Sequence, residues 1–243
     1  MLKISKISKL EMFSDEWRDG RKGKFTSSEA FKLMCDQYVR YIRQKVGEIM
    51  WLHEKSSVFS PTEKEIDTEA TRWGTFYEPE AIYKFGVKMS LQYLVTQKLI
   101  TEPGSRFGST PDGLIVKRIS PDETEYEVET IEVKCPPISE NYLLLFDCET
   151  PQQLKSAKKE YYWQVLDQMD NCESLIGHFV AYHPEFKSGN MRHIVFNAMQ
   201  AEEKNGMKTF PIHNDLKALR KQKAQAVIDF DNLYNKLVAA GNV

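Results

Sequence analysis

The feature that most limits how this chain can fold is a pair of short segments centred twenty residues apart. Residues 131–134 alternate apolar and charged side chains, so in a β-strand Glu132 and Lys134 share one face while the two apolar side chains point into a core. Asp112 stands at a Pro-Asp-Gly bend, a sequence typical of turns. An antiparallel hairpin would bring Asp112 back beside Glu132. We therefore expect two carboxylates and one amine on the same surface of a sheet.

Side chains of these types suit the hydrolysis of a phosphodiester. A hard cation held by oxygen ligands polarises the phosphoryl group and lowers the pKa of a bound water, and Asp and Glu are ligands that Mg²⁺ prefers. A lysine beside the cation can hold the attacking water or neutralise charge that develops on the phosphoryl oxygens. The alternative is a solvated cross-strand ion pair, which is the commoner role of Glu-x-Lys on a strand. The Asp-Gly turn and the shared strand face favour the metal site.

A resemblance to a known family extends over most of the chain. Four regions carry it: 17–29, with Ser27 where the family usually has alanine; 73–79; 109–114 together with 132–136; and 161–165. In order and spacing these regions resemble the phage lambda exonuclease, or YqaJ-like viral recombinase, family of the PD-(D/E)xK nuclease superfamily. The resemblance implies a restriction-endonuclease-like α/β fold, with a mixed central β-sheet flanked by α-helices.

The resemblance also assigns roles around the hairpin. Asp112 and Glu132 would be metal ligands, and the carbonyl of Val133 would add a third oxygen. Lys134 would position the nucleophile. The cofactor would be Mg²⁺, with Mn²⁺ as a substitute.

Four residues outside the hairpin complete the site that the resemblance implies. Glu78 would approach the metal through its water shell, and Gln164 would lie near the catalytic lysine and water. Arg21 and Ser28 would form a pocket for a terminal 5′-phosphate, because a guanidinium fork and a hydroxyl suit a dianionic group. Without the family, Glu78 and Gln164 would be interpreted as surface helix residues and Arg21 as an ordinary loop arginine.

The activity that the resemblance implies is 5′-to-3′ digestion of one strand of linear double-stranded DNA, which leaves a 3′ single-stranded tail. It further implies a homotrimeric ring and a single-strand annealing protein as partner, in phage or prophage recombination inside a bacterial host. Two alternatives remain open. A Cas4-like nuclease would carry an iron–sulfur cluster, against which the absence of Cys-x-x-Cys spacing counts. A non-catalytic DNA-end-binding module would not need the complete Asp112, Glu132 and Lys134 set.

Composition narrows the class of protein. Hydrophobic residues make up 41% and charged residues 28%, which is typical of a folded domain rather than a disordered chain. No run approaches the roughly eighteen apolar residues of a membrane span, and the first residues lack the apolar stretch of a signal peptide. We therefore expect no membrane partner and a cytoplasmic location.

A net charge of −2 is low for a protein that binds DNA, since phosphate contacts supply most of the non-specific affinity. Positive charge would therefore have to be local. Three clusters could supply it: Arg18, Arg21, Lys22 and Lys24; Lys155, Lys158 and Lys159; and Lys217, Arg220, Lys221 and Lys223. For the second and third clusters, a solvated helix or loop face is the commoner alternative.

Length and patterning predict one domain over 1–243, and the resemblance implies that it is a nuclease domain with a catalytic core at about 73–182. Periodicity, caps and breakers predict helices at 27–54, 62–85, 153–169 and about 215–240. They predict strands near 88–96, 112–118, 125–135, 174–182 and 192–196, with an irregular segment at 137–153.

Overall fold

The computed structural model describes residues 1–8, 14–54, 68–91, 94–204 and 207–240. Its α-helices are α1 (Asp15–Arg21), α2 (Tyr38–Glu54), α3 (Glu69–Lys88), α4 (Ser139–Phe146), α5 (Pro151–Ala157), α6 (Lys159–Asn171) and α7 (Pro211–Ala239). Its strands are β1 (Leu2–Lys3), β2 (Phe25–Thr26), β3 (Leu94–Thr96), β4 (Phe107–Gly108), β5 (Gly113–Ile119), β6 (Glu125–Lys134), β7 (Ile176–Tyr182), β8 (Met191–Asn197), β9 (Glu202–Lys204) and β10 (Met207–Thr209). Among the described residues, no helix is long and apolar enough to cross a bilayer.

A six-stranded mixed sheet forms the centre of the fold. Its strand order is β3-β5-β6-β7-β8, and β1 also pairs with β6. The β5–β6 and β7–β8 pairs are antiparallel, whereas β6 and β7 run parallel because helices α4 to α6 connect them. With helices on both faces of the sheet, this arrangement confirms the predicted fold class.

Alternation along β6 sends its side chains into two different layers. Ile131 and Val133 pack with Phe85 of α3 in one apolar cluster. On the other face, α6 and α7 cover the sheet in a cluster that includes Phe179. Glu132 points to this second face and is only 1% exposed. Because helices cover both faces of the sheet, the Glu132 carboxylate lies in the interior, where it needs a charged or hydrogen-bonding partner.

Four of the five predicted strands and the last helix lie within a few residues of their predicted positions. The last helix begins at Pro211 rather than near 215, because proline suits the first turn of a helix. The strand predicted at 88–96 is reduced to Leu94–Thr96, since α3 runs through Gly86 to Lys88. Ser90, with φ 53°, then supplies the left-handed residue that reverses the chain. The predicted start of the second helix, at residue 62, lies outside the described residues.

The helix predicted at 27–54 is wrong as a single element. Ser27–Met34 is a 3₁₀ helix, and extended backbone at Cys35 separates it from α2. Ser27, Ala30 and Leu33 are buried at intervals of three residues, which matches three residues per turn.

Two further predictions in the middle of the chain are wrong. The segment predicted to be irregular contains α4, whose Tyr142 and Leu145 are buried, so proline at 136 and 137 ends the strand without preventing the next helix. The helix predicted at 153–169 is two helices, because Lys158 leaves the helical region at φ −146° and ψ 77°.

Candidate active site

The β5–β6 hairpin brings Asp112 level with Glu132. Gly113 pairs with Ile131 in the antiparallel ladder, so the residue before Gly113 lies across from the residue after Ile131. The Asp112 carboxylate is fixed there, because its Oδ2 accepts a hydrogen bond of 2.7 Å from the backbone N–H of Val133. The hairpin and the shared surface predicted from the sequence are therefore present.

Glu132 is held from two directions. Its Oε1 accepts a short hydrogen bond from the Lys134 ammonium, and its Oε2 accepts one of 2.5 Å from Nε2 of Gln168 on α6. Burial works to lower the pKa of Lys134, but the charges of Glu132 and Asp112 outweigh burial and raise this pKa above its usual value. Lys134 is therefore a fixed cation, with Nζ 5.3 Å from the ring centroid of Tyr161.

A third carboxylate faces the same centre. Burial raises the pKa of Glu78; a hydrogen bond of 3.3 Å from Gln97 opposes this, and the charge of Glu132 raises it further. Burial also raises the pKa of Asp112 well above its usual value, and Glu132 and Glu78 add to the rise. Three carboxylates therefore share the single ammonium of Lys134.

The donor set fits a hard divalent cation. Oxygen ligands of negative charge, crowded enough to raise one another's pKa, favour a bound cation of this class. Within the described ranges, no three His, Cys, Asp or Glu side chains are grouped closely enough to form a metal site by themselves. A site here would therefore use Asp112 and Glu132 together with a backbone oxygen or water.

A cavity of about 140 Å³ adjoins this cluster. It brings together Arg21, Ser28 and Gln164, three of the residues that the sequence singled out. Gln164 thus lies on the cavity wall. The remaining lining residues are Trp17, Thr26, Ser27, Gly108, Thr110 and Gln168.

Buried polar contacts fix the wall of the cavity. The Ser27 hydroxyl donates to Oδ2 of Asp167 at 2.7 Å, which ties the start of the 3₁₀ helix to α6. The Arg21 guanidinium lies 4.4 Å from the ring centroid of Trp17. Two residues after Arg21, the backbone N–H of Gly23 donates a hydrogen bond to the Glu48 carboxylate. The φ of Gly23 is 68°, a conformation that favours glycine. Arg21, the last residue of α1, is therefore held between the Trp17 ring and the anchored turn that follows the helix.

Three lysines of the basic clusters form ion pairs within the chain. Lys155 lies 2.6 Å from Asp215, and Lys22 lies 2.5 Å from Asp19. Lys223 is buried, with Asp167 and Asp170 at 2.9 and 2.6 Å. Neither alternative for Lys223, DNA contact or a solvated helix face, is therefore correct, because its buried ammonium holds α7 against α6.

Three residues that the structure places at the site were not identified from the sequence. Gln168 follows Gln164 by one helical turn, so helical spacing from a predicted site residue could have indicated it. Thr110 stands two residues before Asp112 and lines the cavity. Gln97 reaches Glu78 from a backbone with φ 54°, a conformation that no local pattern predicts for glutamine.

Comparison with known proteins agrees with this fold. The structure is similar to the alkaline exonuclease of Laribacter hongkongensis, with a TM-score of 0.61 and 18% identity over 93% of this chain and 100% of that one. The same enzyme in complex with dAMP gives a TM-score of 0.60 at the same identity and coverage. A phage-related exonuclease from Haemophilus somnus 129PT gives 0.56 and 14% identity, over 88% of this chain and 96% of that one.

Sequence comparisons complete the picture. No curated protein sequence matches the chain significantly. The profile of the YqaJ-like viral recombinase domain matches residues 16–172, which is more than half of the chain. The sequence-based predictions of family and of a nuclease-type enzyme are thereby supported. The chain belongs to the YqaJ-like viral recombinase domain family.

Proposed function

We propose that this chain is a metal-dependent exodeoxyribonuclease that degrades one strand of linear double-stranded DNA from its 5′ end. The observation that carries the proposal is the meeting of Asp112, Glu132 and Lys134 beside the cavity lined by Arg21 and Ser28. The family and the exonuclease structures of similar fold support the same reaction class.

In this proposal the hairpin holds the cofactor. Asp112, Glu132 and the carbonyl of Val133 would hold Mg²⁺, for which Mn²⁺ would substitute. When bound, the cation would polarise the phosphoryl group and lower the pKa of a bound water. Lys134 would hold the attacking water and neutralise charge on the phosphoryl oxygens, because its pKa is raised and it stays protonated. Glu78 would orient water around the cation.

The cavity would take the terminal 5′-phosphate. The Arg21 guanidinium can donate two parallel hydrogen bonds to a dianionic phosphate, and the Ser28 hydroxyl can add a third. Gln164, on the wall of the same cavity, would contact the nucleotide between the cavity and Lys134. Recognition of a terminal group at a fixed position would make cleavage begin at an end.

The family also suggests a setting for this reaction. We infer a homotrimeric ring that encloses the duplex, inside the cytoplasm of a bacterial host of a phage or prophage, and a single-strand annealing protein that receives the 3′ tail. A net charge of −2 and the internal ion pairs of Lys155 and Lys223 support a DNA path formed by several subunits. A ring would concentrate the remaining positive charge on its inner lining.

Digestion of singly end-labelled duplexes tests the reaction. With Mg²⁺, a label at the 5′ end should be released first as a mononucleotide, while a 3′ label stays in a long single strand. Chelation with EDTA should stop release, and a covalently closed circle should remain intact because it offers no end. Earlier release of the 3′ label, or cutting of the circle, would contradict the proposal. Binding of ends without any release would favour the non-catalytic module, and visible absorbance of an iron–sulfur cluster would favour the Cas4-like alternative.

A further inference from the structure

We propose that Gln168 is a positioning residue that links the phosphate cavity to the metal ligand Glu132. The inference deepens the proposed nuclease site and rests on it. Gln168 is fully buried, and its side chain reaches both parts of the site. Its Nε2 donates to Oε2 of Glu132 at 2.5 Å, and the residue lines the cavity that contains Arg21 and Ser28.

The amide orientation is set by the carboxylate. A carboxylate only accepts hydrogen bonds, so the nitrogen of the amide has to face Glu132; the reverse orientation would set two acceptor oxygens against each other. Lys134 donates to the other oxygen of the same carboxylate. Glu132 is therefore held between two donors, and removing Gln168 would leave its rotation restrained from one side only.

The other end of the amide is unsatisfied. Oε1 of Gln168 is buried and has no hydrogen-bond partner among the described residues. A buried acceptor without a donor costs free energy comparable to a lost hydrogen bond, so such a group is expected to gain a donor in the working state. The cavity is the place from which that donor can come.

A phosphate cannot satisfy Oε1 directly, because phosphate oxygens in their ionised form also accept hydrogen bonds. A water molecule can join the two, since it donates one O–H to the phosphate and the other to Oε1. Filling the cavity would then complete the hydrogen bonding of Gln168 and hold its amide against Glu132. The bound 5′-phosphate would in this way favour the arrangement of Glu132 that binds the cation.

The test compares Gln168→Met with a matched control. Methionine is similar in length and apolar, so the variant removes both hydrogen bonds at little change in volume. The control is Gln225→Met, since Gln225 also donates to a carboxylate, at 2.9 Å to Asp229, but on the exposed side of α7. Gln168→Asn, whose shorter amide cannot reach Glu132 in the same way, serves if Gln168→Met does not fold.

Two readouts decide the outcome. Calorimetry without DNA should show Mg²⁺ binding weakened about 10- to 100-fold in the Gln168 variant, as for other residues that orient a metal ligand, and unchanged in the control. Digestion should show a smaller advantage of 5′-phosphorylated over 5′-hydroxyl ends, through kcat more than through KM for DNA. Unchanged Mg²⁺ affinity would overturn the positioning role. An unchanged preference for phosphorylated ends would overturn the link to the cavity.

The two readouts separate this inference from the proposed function. If the wild-type protein binds Mg²⁺ but releases no nucleotide, the nuclease proposal fails. Weakened Mg²⁺ binding in Gln168→Met would still support the positioning of Glu132 in that case. If digestion is robust and Mg²⁺ affinity is insensitive to Gln168, the nuclease stands and the positioning role is wrong.

Discussion

Lys134 is the side chain on which the charge balance of the site depends. Its ammonium faces Glu132 and Asp112 at once, and the electrostatic influence of the three groups on one another is visible in the raised pKa of Asp112 and of Lys134. A divalent cation bound by the same carboxylates would share this role. Metal binding and water positioning can therefore be separated by mutation.

Lys134→Ala should lose cleavage while keeping Mg²⁺ binding. The variant removes the group proposed to hold the water, which should lower kcat on the order of a hundredfold or more, and it also removes a positive charge that competes with the cation. Turnover of end-labelled duplex and Mg²⁺ calorimetry measure the two effects. Lys84→Ala, which removes an exposed lysine paired with Glu80, is the control. A folded Lys134→Ala protein that no longer binds Mg²⁺ would show that the role is wrong.

Arg21→Ala should remove the preference for phosphorylated ends without removing all activity. A charge-assisted contact of about 1.5–3 kcal/mol corresponds to roughly a ten- to hundredfold preference. The measurement is the ratio of initial rates on 5′-phosphorylated and 5′-hydroxyl duplexes. Arg18→Ala is the matched control, since Arg18 is an exposed arginine on the same helix and does not line the cavity. A ratio that survives in Arg21→Ala would refute the pocket.

The site residues of the hairpin could be predicted because neighbouring residues in the sequence determine their positions. Alternation over 131–134 and a turn at Asp112 fix which side chains share a surface, whatever surrounds them. Gln168 and Gln97 could not be predicted in the same way, because their partners Glu132 and Glu78 are distant in the sequence and meet them only after the sheet and helices pack.

Helices whose boundaries depend on tertiary packing were predicted less well than strands whose boundaries follow from the local sequence. The 3₁₀ helix Ser27–Met34 follows from packing against two different clusters, and no periodicity of the sequence distinguishes it from the first turns of a longer α-helix. Strands β5 to β8 were predicted because a buried strand needs apolar side chains at fixed spacing.

Helix α3 carries Glu78 and covers a polar cluster on strands β7 and β8. His178 lies 2.9 Å from His193 and 2.9 Å from Glu129, and Phe85 of α3 packs against both imidazoles. Lys117 lies 3.4 Å from Glu129, and Lys88 faces the cluster from the end of α3. The position of α3, and with it that of Glu78, therefore depends on packing against His193, whose neutral form burial favours.

Acid should weaken this packing. Burial first, then His178 and Lys88, lower the pKa of His193 to about 4, below its usual 6.5. Between these values the unfolded chain binds more protons than the folded one, so the free energy of unfolding should fall as pH drops from about 6.5 to 4. His193→Gln should show a smaller fall than wild type in urea titrations at several pH values. His213→Gln, at an exposed position, is the control; an identical pH dependence in His193→Gln would contradict the assignment.

At the scale of the whole molecule, the low net charge has to be reconciled with the proposed binding of DNA. A monomer of charge −2 carries no net positive charge for a duplex, whereas the proposed closed ring would collect the cations of several subunits around one channel. Once threaded, a linear duplex cannot leave a ring by simple loss of phosphate contacts.

The proposed ring would make digestion processive. Digestion that has begun should continue through long duplexes when excess unlabelled DNA is added as a trap, and light scattering should give about three chain masses. Rising salt should slow initiation, because capture depends on counterion release, but should affect elongation less. A monomer by scattering together with short digestion tracts would leave a distributive nuclease with the same site.

Asp112→Asn tests the central claim, that the hairpin is a metal-dependent nuclease site, most directly. Asparagine keeps the shape and can still accept from the Val133 N–H, but it lacks the charge that binds a cation. Burial, Glu132 and Glu78 raise the pKa of Asp112, so the metal-free wild type should lose stability as pH rises through that pKa, and the variant should not.

The measurement is release of a 5′ label by wild type and Asp112→Asn at saturating Mg²⁺, with thermal unfolding in EDTA as the folding control. We predict an activity loss beyond the roughly 100-fold that removal of an outer-shell partner causes. We also predict an unfolding temperature in EDTA no lower than that of wild type at neutral pH. Near-wild-type release of the label by Asp112→Asn would contradict the account.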